Sequence, residues 1–186
     1  MPTEYEQALK NVGEVVEPYD ADKNFSVYGF GGDPEYIEND NYDRHCFPLN
    51  GNIMNDEVHT VDGILKLYRE TLPKIDFVGP TNFATFLDSL LRRMQAQQAY
   101  PVYQIMLILT DGAITDFERT KDKIIELSYF PCSIIIIGVG DANFDAMEDL
   151  DADKHQLRNS RGMVGMRDIV QFVPFREAKM KGNLAK

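Results

Sequence analysis

Hydrophobic and polar positions along this chain change period repeatedly, and each change predicts an element. Tyr5, Ala8, Leu9, Val12, Val15, Val16 and Tyr19 recur at helical spacing, which predicts an amphipathic helix over 4–18. Thr3 with Glu6 three residues on is a capping-box signature at its start. Asp20-Ala21-Asp22-Lys23-Asn24 reads as a turn, and residues 25–30 read as a strand closed by Gly31-Gly32-Asp33-Pro34. Residues 33–43 form an acidic, tyrosine-bearing loop. His45-Cys46-Phe47-Pro48-Leu49 fits a short strand that Pro48 restricts to an edge. Val58, Val61, Ile64, Leu65, Tyr68 and Leu72 mark a second helix, ended by Pro73. Phe83, Phe86, Leu87, Leu90, Leu91 and Met94 mark a third.

The second half carries the clearest strand signals. Tyr103-Gln104-Ile105-Met106-Leu107-Ile108-Leu109-Thr110 is an apolar run that stops at Asp111-Gly112. Cys132-Ser133-Ile134-Ile135-Ile136-Ile137-Gly138-Val139-Gly140 is another, one helix later, and Asp116 can cap the helix between them. Continuous apolar strands of this kind belong to buried parallel sheets. Phe144, Met147 and Leu150 suggest a short helix, residues 151–166 a polar loop, and residues 167–175 a last strand that Pro174 terminates. Strand, helix, strand implies a right-handed crossover, hence an α/β fold with an open, mostly parallel sheet and helices on both faces. Ligands of such sheets sit outside the carboxyl ends of the strands. Asp111 is therefore the first residue to consider for function.

Charge narrows the partners. The net charge is −11. Residues 1–80 hold 16 acidic against 6 basic side chains, and residues 81–186 hold 14 against 13. That field disfavours nucleic acid and anionic lipid. After Arg176 the balance reverses, with Lys179, Lys181 and Lys186 against Glu177, so 177–186 reads as a basic tail or linker behind a domain spanning 1–176. Two cysteines, Cys46 and Cys132, make no disulfide scaffold, and Cys132 opens a buried strand; an intracellular, cytoplasmic setting follows. No apolar run reaches the roughly 20 residues of a membrane span.

Catalytic signals are missing from the sequence. His45, His59 and His155 share no metal-ligand spacing, and no serine stands in a Gly-x-Ser-x-Gly elbow. Gly29-Phe30-Gly31-Gly32 lacks the Gly-Lys-Ser/Thr ending of a phosphate loop. Tyr36 and Tyr42 are read as loop residues tucked onto the surface, with partner anchoring as the alternative. A binding protein rather than an enzyme is expected.

Thr81, in Gly79-Pro80-Thr81-Asn82 before a helix, and Asp111, in Leu109-Thr110-Asp111-Gly112 after a strand, both belong at the carboxyl edge of the sheet. The pair resembles the von Willebrand factor A domain, a Rossmann-like fold whose metal-ion-dependent adhesion site draws a Thr and an Asp from separate loops. Carried over residue by residue, the resemblance makes Thr81 and Asp111 metal ligands. A hydroxyl and a carboxylate suit a hard cation, Mg²⁺ or Mn²⁺, with water completing its shell. Five segments in order resemble the copine family more closely. They are Tyr28-Gly29-Phe30-Gly31-Gly32, Gly79-Pro80-Thr81-Asn82, residues 107–116, Gly138-Val139-Gly140-Asp141-Ala142-Asn143-Phe144 and residues 167–176.

That resemblance implies a copine-type A domain that binds proteins through the carboxyl edge of its sheet. It also implies Ca²⁺-dependent phospholipid binding, through lipid-binding domains that this chain lacks, and recruitment to the plasma membrane in the full-length protein. The family pattern opens with a central strand bearing Asp-x-Ser-x-Ser, which supplies the remaining metal ligands; this sequence has no such motif. The expectation is a partial adhesion site without tight, selective metal binding. Three outcomes are consistent with the missing strand: an amino-terminally truncated copine, a strand borrowed from a partner or in a strand-swapped dimer, or a rearrangement in which flanking strands meet. Truncation is the favoured one. The alternative function is the A domain of a RING-type ubiquitin ligase related to copines.

Overall fold

The computed structural model describes residues 1–37, 42–97, 102–152 and 156–180. The chain divides into two compact units, one made of residues 1–80 with 177–180, the other of Thr81–Arg176.

The first unit opens with α1 (Glu4–Val16). Its capping box forms as expected: the Glu6 N–H donates to Thr3 Oγ1, and the Thr3 N–H to Glu6 Oε2. Glu6 also holds Arg69 of α2 (Thr60–Thr71), and this hydrogen bond, followed by the one from Thr3, lowers its pKa. A 3₁₀ turn, Glu17–Tyr19, follows α1 and carries Pro18 in its first turn. Val58, expected on the second helix, lies instead on a strand before it, and Pro73 sits in a 3₁₀ turn, Leu72–Lys74, after it.

The strand expected over 25–30 is divided. It becomes β1 (Asn24–Ser26) and β2 (Tyr28–Gly29), with β3 (Gly32–Pro34) beyond. Each pairs antiparallel with a different partner: β2 with β4 (Phe47–Pro48), β1 with β5 (Glu57–His59) and β3 with β6 (Ile75–Phe77). Among the described residues, the mostly parallel sheet thus does not extend into this unit. Change of partner is what breaks the run, because each two- or three-residue ladder leaves the next residues facing another segment. Gly31, at φ +68°, makes the reversal between β2 and β3 in a conformation few other residues adopt. Tyr36 and Tyr42 are tucked in, as expected. The Tyr36 hydroxyl donates to the Leu49 carbonyl at 2.9 Å, and Tyr42 bonds Asp33. Burial pushes the Tyr36 phenol up to about 12.

The second unit carries α3 (Ala84–Ala96), β7 (Gln104–Thr110), α4 (Phe117–Leu127), β8 (Cys132–Gly138), α5 (Asp145–Asp151) and β9 (Val170–Pro174). A last helix, α6 (Phe175–Met180), crosses the boundary between the units. β7, β8 and β9 form a three-stranded parallel sheet in that order. The apolar runs are why: Ile134, Ile136 and Ile137 of β8 are each 1% exposed, as parallel strands covered on both faces require. Cys132 is fully buried beside them, and burial raises its thiol pKa. Leu127, Met147, Leu150 and Phe175 are also fully buried, as are Phe83, Leu87 and Ile125.

Register brings the three carboxyl ends level, with Thr110 opposite Gly138 and Gly138 opposite Pro174. Gly138 is needed for space, since a Cβ there would lie 3.0 Å from the rings of both Phe144 and Phe172. Within the loop expected over 151–166, residues 157–165 fold back on themselves. Arg158 bridges Val164 antiparallel, and the Gly165 N–H donates to the Leu157 carbonyl. His155, residues 38–41 of the acidic loop and the basic tail beyond residue 180 lie outside the described residues. Among the described residues, no helix is long and apolar enough to cross a membrane.

Candidate metal-binding edge

Thr81 and Asp111 lie in the same unit, on neighbouring loops. β7 delivers Asp111, exposed, one residue past its end. Thr81 precedes α3, and its Oγ1 sits 3.5 Å from where a Cβ on Gly112 would be. The Thr81 hydroxyl is thus within van der Waals reach of the Asp111-Gly112 turn.

Two contacts tie the loops together. The Thr115 N–H donates to the Thr81 carbonyl at 2.9 Å. The Thr115 hydroxyl lies 2.9 Å from that carbonyl and 2.7 Å from Asn82 Oδ1. The second contact is Asp116, whose carboxylate accepts the Phe83 N–H on Oδ1 and the Ala84 N–H on Oδ2, both at 2.9 Å. Thr120 Oγ1 donates to Oδ1 at 3.1 Å. This corrects the expected role of Asp116: it stands at the N-cap position of α4 yet makes no side-chain cap there. Its carboxylate serves the amino terminus of α3, where Phe83 has no cap of its own. Two unsatisfied amides and the positive end of a helix dipole attract a carboxylate more strongly than one local turn does.

Thr115 and Asn82 were not singled out in the sequence, although both flank the candidate ligands. The signal in the chain is two adjacent polar residues, Thr115 and Asp116, after Gly112-Ala113-Ile114. Asp141 does more than turn the chain after β8, since it forms an ion pair with Arg176. His59, in the other unit, has Nδ1 3.2 Å from Asn24 Oδ1. Among the described residues, no three His, Cys, Asp or Glu side chains converge in a way that could hold a metal ion.

The donor set at the edge fits a hard divalent cation in kind: one hydroxyl and one carboxylate, with room for water on an exposed turn. In number it is short, because Asp111 is the one formally charged group in the set. Fold and site together define an α/β protein with a parallel three-stranded sheet and polar loops gathered at its carboxyl ends. The family model described as Copine matches residues 1–186, the whole of the chain, and the protein belongs to the copine family.

Proposed function

We propose that this chain is the partner-binding A domain of a copine, and that it binds proteins at the carboxyl edge of the β7–β8–β9 sheet. The observation that carries the reading is the approach of the Thr81 hydroxyl to the Asp111-Gly112 turn, with Thr115 and Asp116 holding the two loops in place. Thr81 and Asp111 would hold a hydrated Mg²⁺ or Mn²⁺ as a partial adhesion site, and a carboxylate from the partner would add the missing charge. The bound ion supplies a positive centre for that carboxylate. Thr115 and Asp116 keep the two ligands oriented. The role is recognition and involves no catalytic step.

The von Willebrand factor A reading expects one more parallel strand beside β7. In support, β7 pairs with β8 on one side, and among the described residues no strand pairs with it on the other. Calcium-dependent attachment to membranes is assigned in this proposal to lipid-binding domains and not to residues 1–186. A cytoplasmic location goes with it.

Mn²⁺ titration followed by electron paramagnetic resonance tests the site directly. Wild-type protein should bind the ion weakly, Asp111→Ala should abolish binding, and Thr81→Val should weaken it. Asp145→Ala, on a neighbouring helix, should leave it unchanged. Identical Mn²⁺ binding by wild type and Asp111→Ala would remove the metal from the proposal. Partner capture that survives both Asp111→Ala and chelator would remove the edge.

A further inference from the structure

At the opposite, amino-terminal end of β8 the second unit carries a surface of different character. Tyr129, Met163 and Met166 are 63%, 42% and 69% exposed. Arg158, Arg161 and Arg167 are exposed among them. These six residues come from two segments some 30 positions apart, and hydrogen bonds hold the segments together. The Tyr129 hydroxyl donates to the Val164 carbonyl at 3.3 Å, and the Met166 N–H to Ser128 Oγ at 2.8 Å. Arg167 donates to the carbonyls of Phe130 and Cys132, both at 2.6 Å. Buried Asn159 fixes the turn between, its Oδ1 accepting the N–H groups of Arg161 and Met163 at 3.1 and 2.8 Å. The surface is thus built before any partner arrives, which lowers the ordering cost of binding.

Its charge stands against the rest of the protein. The chain totals −11, yet residues 156–167 hold three arginines and no acidic side chain. Asp122 answers Arg161 at 3.5 Å, and Asp168 turns back to accept the Val170 N–H at 3.1 Å. Arg158 and Arg167 rest on carbonyl oxygens, which hold a guanidinium without neutralising it. Arg, Met and Tyr without Lys is the composition enriched at protein interfaces.

We propose that this surface binds a short acidic protein segment carrying apolar side chains, the acids meeting Arg158 and Arg161 and the apolar groups meeting Met163, Met166 and Tyr129. Charge reach favours a peptide over an anionic membrane. Screening confines each interaction to about 8–10 Å, so a short segment meets the three arginines with only Asp122 and Asp168 close by, whereas a charged plane also meets the acidic remainder of the protein. The site is independent of the metal edge and survives its failure.

Fluorescence polarisation with the full chain tests it. The probe is a labelled peptide of alternating Glu and Asp interrupted by one Leu and one Phe. Binding should weaken ~10-fold or more, the equivalent of one decade in Kd, in Arg158→Glu/Arg161→Glu. It should also weaken in Met166→Ser and as salt rises, and an all-Glu peptide should bind less well than the mixed one. Arg158→Lys should keep most of the affinity, which separates lost charge from lost fold. No binding of the mixed peptide overturns the proposal, as does binding that both variants retain. Co-sedimentation with phosphatidylserine vesicles, lost in the arginine variant while the peptide stays unbound, overturns it in favour of a membrane.

Discussion

Replacing Asp116 by alanine should loosen the amino terminus of α3 and, through it, the Thr81 loop. The wild-type carboxylate accepts two backbone N–H groups at 2.9 Å and the Thr120 hydroxyl at 3.1 Å, all partly buried. A side-chain N-cap contributes about 0.5–2 kcal/mol, and a hydrogen bond to a charged group about 1.5–3 kcal/mol. The bonds share one carboxylate, and water reaches part of the site, so a loss of about 2–3 kcal/mol is expected for Asp116→Ala. In a chain of this length each kcal/mol shifts Tm by about 2–4 °C, so the melting transition should fall by roughly 4–12 °C. Asp116→Asn should fall about half as far: its oxygen can still accept one amide, while its NH₂ turns a donor toward the other. Amide hydrogen exchange supplies the local readout. Protection at Phe83 and Ala84 should drop in Asp116→Ala, whatever unit unfolds first. Glu118→Ala is the control, since exposed Glu118 forms a surface ion pair with Lys121 of its own helix. Unchanged protection at those two amides, with Tm within ~1 °C of wild type, would show that the carboxylate does not cap α3. Because the same cap holds Thr81, Mn²⁺ binding should weaken in Asp116→Ala with both proposed ligands intact.

Other consequences are open to measurement. Lys123 of α4 lies 2.8 Å from Asp88 of α3, and its hydrogen bond holds the Asp88 pKa below the usual 3.8. A depressed carboxyl pKa stabilises the fold above the unfolded value and ceases to do so as pH falls through the folded one. Acid denaturation should therefore lose part of its steepness below pH 3.8 in Asp88→Asn, as urea titrations at successive pH values would show. Gly138→Ala should destabilise and Gly138→Val more so, by about 1–3 kcal/mol from overpacking against Phe144 and Phe172; denaturant midpoints read this. In native protein a thiol reagent should modify half-buried Cys46 well before Cys132, whose burial raises its pKa, and equal rates would mean that the β8 core opens freely.

Much of the second unit is legible in the chain because its signals are local. An apolar run of seven or so residues, rich in isoleucine and bounded by polar turns, fits a strand better than a helix by its length and β-branching, so β7 and β8 emerge from the local sequence. Asp111 is readable for the same reason, lying where β7 stops, whereas Thr81 stands just before α3 and becomes a candidate through the family resemblance. The short strands of the first unit are a different case. Residues 25–30 look like one strand, but two or three residues in extended conformation are set by whichever segment lies alongside, and the partner residues in β4 and β5 lie 18 or more positions further on.

Helix ends mark the boundary between what the sequence by itself determines and what the tertiary structure decides. At α1 the cap is within reach of its own turn, so Thr3 and Glu6 specify it by spacing alone. At α2 the amide of Val61 is taken by Glu17, 44 residues earlier, and at α3 the amides of Phe83 and Ala84 are taken by Asp116, more than 30 residues later. The same holds for the surface of Tyr129, Arg158 and Met166, whose residues become neighbours only once the 157–165 turn packs beside the end of α4. Periodicity is a property of consecutive residues and survives in the sequence. Which carboxylate reaches which amide, and which arginines share a face, depends on distances that exist only after the chain has folded.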